Sequence, residues 1–509
     1  MPLRPGRVGL YVCGLTVYDH AHIGHARTFT SFEVVRRWLE HRIGPVHHVQ
    51  NVTDVDDKIL ARAAERGISP RAHAAEWSAL CRAEQERLGV HVPSGADFPH
   101  VTTSIRDIVT FIESIVANGF AYATAEGNVY FDVPRYDAHA AAHLKDAEGH
   151  GCGYGSLSNR DFKEMAAGTR KEVESDKRHP ADFALWKAAD AGDHADANWD
   201  SPWGKGRPGW HIECSLMATR ALGDRFDIHG GGQDLIFPHH ENEIAQSQAK
   251  TGKAPFVNVW MHAGFLNVEG EKMSKSLGNF ITLRQTLDEL EAKGLGADAL
   301  RFYYVQTHYR SKIDYSRKGL DEAAAALKRL EATRAALTKA AAGGIGCADQ
   351  DLPLAKAAQA LRAEVEEAMD DDIHTPRAVA ALFTFQRAAN TILDRTTPTM
   401  PVGGQAARDA LDAFEACGRI LTLFETPVGR LGMEAGSVPA VLLESASQLG
   451  IHLEPSASES SAMGQFLAAR AAARAAKDWK RSDLIRDAAK HAGYLIEDTK
   501  DGGQRWRKA

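Results

Sequence analysis

The stretch Val8-Gly-Leu-Tyr-Val12, followed after a short turn by His22-Ile-Gly-His25, decides how this 509-residue chain is read. The first string is an apolar run of strand length. The second opens a segment in which Ile23, Ala26, Phe29, Val34, Trp38 and Leu39 recur near helical spacing. Strand, turn, helix is the unit from which parallel nucleotide-binding sheets are built. A helix start there presents free N–H groups and the positive end of the peptide dipole, which suits phosphate. Gly24 removes a side chain where a base or a phosphate must come close. Cys13 closes the first strand in this reading. Pro45 to Val52 reads as a second strand, leading into Asn51-Val-Thr-Asp-Val-Asp-Asp-Lys58.

Working outward, the expected fold class is α/β: a doubly wound parallel nucleotide-binding (Rossmann-like) sheet carrying an insertion, then an α-helical bundle and a small C-terminal α+β domain. The sheet takes residues 1–100 and 207–263, with the insertion at 101–206 between its halves. Residues 264–318 contain Lys272-Met-Ser-Lys-Ser276, whose two cations suit triphosphate. The spacing of Leu320, Leu327, Leu330 and Leu337 opens a bundle over 319–453. Ser-rich Glu454 to Ser461 reads as a linker, and 465–509 forms the last domain.

A second constellation is made of metal-ligand types. Cys13, Cys214 in Gly209-Trp-His-Ile-Glu-Cys214, and Phe237-Pro-His-His-Glu-Asn-Glu-Ile244 together offer two thiolates, an imidazole and a carboxylate, a set zinc accepts. His239 and Glu243 at i, i+4 share a helix face, and so do His240 and Glu243 at i, i+3, so spacing alone leaves that choice open. His20, His22 and His25 offer a competing metal spacing, which would make a metal-dependent hydrolase.

Composition excludes other classes. No apolar run reaches the ~18–20 residues of a membrane span, and no signal-peptide core is seen near Met1, so no membrane partner and a cytoplasmic location are expected. Six scattered cysteines (13, 81, 152, 214, 347, 417) argue for reduced thiols and a metal rather than a disulfide framework. The net charge is −7, yet Gln465 to Ala509 holds 11 Lys or Arg against 6 Asp or Glu, a local +5. A basic tail on an acidic body suits a polyanion held at a defined place.

His22-Ile-Gly-His25 and Lys272–Ser276 resemble the two signatures of class I aminoacyl-tRNA synthetases, and the cysteine and histidine strings resemble the cysteinyl-tRNA synthetase family. The resemblance covers nearly the whole chain. It implies ATP-dependent ligation of L-cysteine to tRNA(Cys) through a cysteinyl-adenylate, by a monomer, with ATP as substrate and Mg2+ accompanying it. It implies one zinc on Cys13, Cys214, His239 and Glu243. His22, His25, Lys272 and Lys275 then act on the triphosphate. Asp234, closing His229-Gly-Gly-Gly-Gln-Asp234, meets the adenosine beside Gly24. Thr53 and Trp210 flank the bound cysteine. In the tail, Arg474, Trp479, Asp483, Arg486 and Asp498 read the anticodon. A related ligase that transfers the cysteinyl group to an amino sugar is the alternative, and it would not need the tail. The family also has a longer stretch with a further strand before Val8, so a trimmed sheet edge or a misplaced start is expected here.

Overall fold

The structure is a computed structural model. It describes residues 2–145, 149, 152–160, 176–190, 192–273, 278–424, 446, 449, 451, 453, 459–476, 478–491, 494–498 and 504–508. The chain divides into a unit of Met1–Glu425 and a unit of Thr426–Ala509.

The first unit begins with β1 (Val8–Thr16), α1 (Ile23–Arg42) and β2 (Val46–Thr53). β1 continues past Cys13, contrary to the expectation that the strand ends there. Its pairing with β2 slips between Val12 and Leu15. The slip is local to Gly14, whose N–H donates to the Asn51 side chain at 2.8 Å, and where any Cβ would overlap the Asn51 carbonyl. Helices α2 (Asp57–Arg66) and α3 (Pro70–Leu88) follow, started by Asp56 and Ser69 side chains that accept from the first turn.

Next come α4 (Ile105–Ala117), the short strands β3 (Ala121–Ala123) and β4 (Val129–Phe131), α5 (Val133–His143), β5 (Phe183–Ala188) and β6 (Gly206–Pro208). These four strands form their own antiparallel sheet in the order β3-β4-β5-β6. The chain then returns to the first sheet through α6 (Trp210–Leu222), β7 (Phe226–Gly232), a tight turn at Ile236–His240, α7 (Glu241–Thr251) and β8 (Val257–Ala263). That sheet runs β2-β1-β7-β8 with every pair parallel. Parallel pairing with helical crossovers buries both faces, so β1 reads as a nearly unbroken apolar run, and β7 is buried up to its last residue although it carries Asp227 and His229. Gly230 lets β7 pass the Phe32 ring, which would occupy the place of a Cβ.

A three-stranded sheet of β9 (Leu266–Val268), β10 (Glu271–Lys272) and β11 (Ile313–Tyr315) follows, with α8 (Leu283–Ala292) and α9 (Asp298–Val305) between β10 and β11. The bundle is α10 (Arg317–Ala341), α11 (Ala348–Asp370), α12 (Thr375–Asp394) and α13 (Gly404–Ile420). Leu320, Leu327, Leu330 and Leu337 are all buried in one core with Ile23, Ala26 and Phe29 of α1. The α11–α12 turn places Asp372 and Ile373 at positive φ, 53° and 56°, unusual for a β-branched residue. Asp372 there accepts from the Tyr309 hydroxyl at 2.9 Å and pairs with Arg310 at 3.1 Å, tying the bundle to the segment after α9.

The second unit holds α14 (Glu459–Ala475), α15 (Trp479–His491) and the antiparallel pair β12 (Tyr494–Asp498) and β13 (Gln504–Lys508). α14 starts inside the Ser-rich stretch read as a linker, because Ala462, Met463 and Phe466 at helical spacing are buried against Ile485, Ala489 and Tyr494. Among the described residues, no helix is long and apolar enough to cross a membrane.

Candidate metal centre and nucleotide cleft

β1 delivers Cys13, the first turns of α6 deliver Cys214, the turn into α7 delivers His239, and the first turn of α7 delivers Glu243. The four ligand atoms lie within 4.8 Å of one another, and all four residues are buried. Cys13 Sγ stands 3.9 Å from Cys214 Sγ and 3.8 Å from Glu243 Oε1, and His239 Nε2 stands 3.1 Å from the same oxygen. Four ligands on one tetrahedral ion with bonds of about 2.0–2.3 Å have such separations. The other carboxylate oxygen, Oε2, faces His229 Nε2 at 2.9 Å, and His239 Nδ1 faces His211 Nδ1 at 2.8 Å. Both ligands are therefore oriented from behind, as metal ligands generally are.

A second set overlaps the first: Cys13, His229, His240 and Glu243. His240 Nε2 lies 3.4 Å from Cys13 Sγ and its Nδ1 2.8 Å from His262. Burial pushes the Cys13 thiol and the Glu243 carboxyl well above their ordinary values. It holds His239 and His240 well below theirs, and brings His211 and His229 down to about 3. Such a cluster of neutral donors, with two carboxylate oxygens and no cation of the chain among them, is the charge pattern of a metal centre.

The centre opens onto a cleft of about 370 Å³ that Cys13, His22, Gly24, His25, Trp210 and Asp234 all line. Trp210 stacks on the His239 ring, centroids 4.3 Å apart. At the other end, the His22 and His25 rings stack at 3.5 Å. The expectation of free N–H groups at the start of α1 needs correction. His22 Nδ1 accepts from Gly24 N and His25 N, His25 Nδ1 accepts from His22 N at 3.3 Å, and Ile23 N donates to Ile281 O. The turn is capped by its own side chains. Gly24 has a reason beyond ligand approach: a Cβ there would stand 2.9 Å from two atoms of the His22 ring.

Thr53 is buried and donates to Glu213 at 2.9 Å, so it stands behind the cleft wall rather than on it. Burial holds the Glu213 carboxyl well above its ordinary value. Met273 lines the cleft. Lys272 lies in β10 with its side chain outside what is described, and Lys275 lies outside the described residues. Lys58 also lines the cleft, its ammonium 5.2 Å from the Tyr18 ring centroid. Neighbouring Asp57 pairs with Lys187 and Arg207 instead. Sequence reading passed over Lys58, His211, His229, Glu213 and His262. The signal for Lys58 is its place just after the Asp56 cap, in the first turn of the helix that follows β2.

His20 pairs with Glu84, away from any metal set. Among the described residues the two groups suited to a metal both contain Cys13 and Glu243, so the hydrolase reading of His20, His22 and His25 finds no ligand set.

In the second unit, Trp479, Asp483 and Arg486 lie one turn apart along α15. Trp479 is 60% exposed, and Arg486 pairs with Asp483 at 3.1 Å. Arg474 sits in the last turn of α14. Asp498 ends β12, its side chain outside what is described.

Residues 1–325 match the family described as tRNA synthetases class I (C) catalytic domain, 364–425 the DALR domain, and 459–507 the cysteinyl-tRNA ligase anticodon binding domain. The chain is 43% identical over 501 residues to the cysteine-tRNA ligase of Geobacter sulfurreducens, covering 98% of this chain and 95% of that one. It is 41% identical over 510 residues to that of Hahella chejuensis, covering 100% and 97%. Its backbone is similar to that of Mycobacterium tuberculosis methionyl-tRNA synthetase in complex with methionyl-adenylate, with a TM-score of 0.56 at 15% identity over 87% of this chain and 92% of that one. That last likeness concerns the fold alone. Sheet order, cleft and full-length matches agree: the chain belongs to the cysteine-tRNA ligase family of class I aminoacyl-tRNA synthetases, enzymes of tRNA aminoacylation.

Proposed function

We propose that the chain ligates L-cysteine to tRNA(Cys) in two steps. The cysteine carboxylate attacks the α-phosphorus of ATP, forming cysteinyl-adenylate and releasing pyrophosphate. The acyl group then passes to the terminal ribose hydroxyl of the tRNA, releasing AMP. The observation that carries this reading is the position of Cys13, which belongs to the four-donor cluster and lines the cleft shared with His22 and His25.

Cys13, Cys214, His239 and Glu243 would hold zinc, two thiolates making that set softer than the one through His240. Zinc there supplies affinity for a thiolate over a protonated serine hydroxyl, where an apolar pocket alone separates such isosteres by only ~10–200-fold. Trp210 excludes water beside the substrate sulfur. Thr53 supports that wall through Glu213. His22 and His25 bind the triphosphate through their rings, since the backbone of their turn is already capped. Gly24 and Asp234 receive the adenosine. Lys272 and Lys275 balance the charge that grows as pyrophosphate leaves, and Mg2+ accompanies ATP. Arg474, Trp479, Asp483, Arg486 and Asp498 contact the anticodon. The match of 459–507 to an anticodon-binding domain supports tRNA over an amino sugar as acceptor.

Metal analysis combined with ATP–pyrophosphate exchange tests the first step, and charging of transcribed tRNA tests the second. Stoichiometric zinc with exchange driven by cysteine and not by serine is expected. A zinc-free enzyme, or one that activates serine equally, would refute the reading.

A further inference from the structure

Arg27 is 1% exposed, and among the described residues it has no carboxylate within ion-pair distance. Its guanidinium instead donates to five backbone carbonyls from two segments. Nη1 reaches Gly264 O at 2.8 Å and Phe265 O at 2.7 Å. Nη2 reaches His308 O at 3.5 Å, Tyr309 O at 3.3 Å, and Ser311 O. Burial holds its pKa at about 10, so the charge persists at neutral pH. A buried charge is stable only when its hydrogens are all received. Here the planar fork spans carbonyls of both segments, three of which also accept a backbone N–H: Phe265 O from Ile313, His308 O from Ser311 and Tyr309 O from Gly264.

The two segments come so close that only glycine fits between them. A Cβ on Gly264 would stand 2.5 Å from Arg310 O and 2.6 Å from Ser311 O, and Gly264 N already donates to Tyr309 O at 2.7 Å. Gly264, Phe265 and Leu266 line the cleft, and so do His22, Gly24 and His25. Arg27 lies on the helix that starts at these histidines, two residues beyond His25. We propose that Arg27 is a positioning residue that sets the spacing of the nucleotide cleft by fixing the Gly264–Leu266 wall onto the helix carrying His22 and His25. The inference rests on reading this cleft as the ATP site.

Lysine keeps the charge at this position but cannot reach five carbonyls. Arg27→Lys is expected to lower kcat for ATP–pyrophosphate exchange about 10²-fold, the cost of a displacement near 1 Å, and to raise the KM for ATP. The KM for cysteine stays within about twofold, because the Cys13 and Trp210 end is untouched. Guanidinium added to Arg27→Ala restores part of the lost exchange. Amide hydrogen exchange over 262–268 and 308–312 accelerates in Arg27→Lys while the β1–β2 amides stay protected, a readout independent of the chemistry. Wild-type enzyme without cysteine-dependent exchange would sink the ATP reading, and the amide readout would then decide for or against Arg27 alone. Normal kinetics and normal amide protection in Arg27→Lys would overturn the proposal. So would equal losses toward ATP and cysteine with no response to guanidinium, since that marks a merely structural arginine.

Discussion

Cys13 and Cys214, 201 residues apart in the chain, hold their sulfurs 3.9 Å from each other. Two thiolates on one tetrahedral zinc stand about 3.8 Å apart. The second donor set, through His229 and His240, does not include Cys214, so the two sets make opposite predictions. Cys214→Ser is expected to lose most bound zinc and to slow cysteine activation at least about 10²-fold, while His240→Gln keeps its metal. Plasma mass spectrometry on both variants decides. Retained zinc in Cys214→Ser, with loss in His240→Gln, would move the centre to the other set.

Gly24→Ala places a methyl against the His22 ring, whose Nδ1 then leaves Gly24 N and His25 N. Losing that cap costs about 1 kcal/mol of stability. Exchange activity should fall by more than the small change in unfolding midpoint suggests, because the displaced ring also lines the cleft. Activity equal to the parent would remove His22 from the triphosphate.

Lys275→Ala should slow adenylate formation about 10²-fold, the effect of removing one cation from a developing charge. Lys58→Ala, at the rim of the same cleft, should weaken ATP about tenfold. Single-turnover adenylate formation over a range of ATP separates the two. A Lys58 variant with unchanged ATP dependence would leave that cation to the surface.

His48 is held at about 3 by burial and by neighbouring His91, against an ordinary 6.5. Its Nε2 is buried without a hydrogen-bond partner. The folded pKa lies below the unfolded one, so this contribution is fully present above pH 6.5 and is lost as pH falls toward 3. Thermal midpoints between pH 7 and 5 should drop less steeply in His48→Leu than in the parent. Parallel curves would show that His48 charges freely in the fold.

Trp479 is 60% exposed at the start of α15. Trp479→Ala should reduce tRNA charging by about 10- to 100-fold, the range of one lost base stack, with pyrophosphate exchange and thermal midpoint unchanged. A fall in both activities together would assign the indole a structural place.

Much of the scaffold was legible because it is periodic. The apolar run at Val8 and the helical recurrence from Ile23 predict β1 and α1, and the leucines from Leu320 predict α10. Where period is silent, the reading slipped. The apolar run ends at Cys13, yet β1 carries on to Thr16 through a register slip beside Asn51 of the neighbouring strand. Glu459 to Ser461 looked like linker by composition, although the apolar residues just after it pack and draw the helix back to Glu459.

The site divides in the same way. Residue types alone determined that two cysteines, a histidine and a glutamate suit zinc, and that paired histidines beside a helix start suit triphosphate. Only the tertiary structure decided that the α1 N–H groups are already capped, that Glu243 is steadied by His229, that Lys58 reaches the cleft, and that Arg27 gathers five carbonyls. The physical reason is range. A helical or strand pattern is set by neighbours a few residues away, whereas a buried polar group finds its partners among residues tens to hundreds of positions distant, brought together only when the sheet closes.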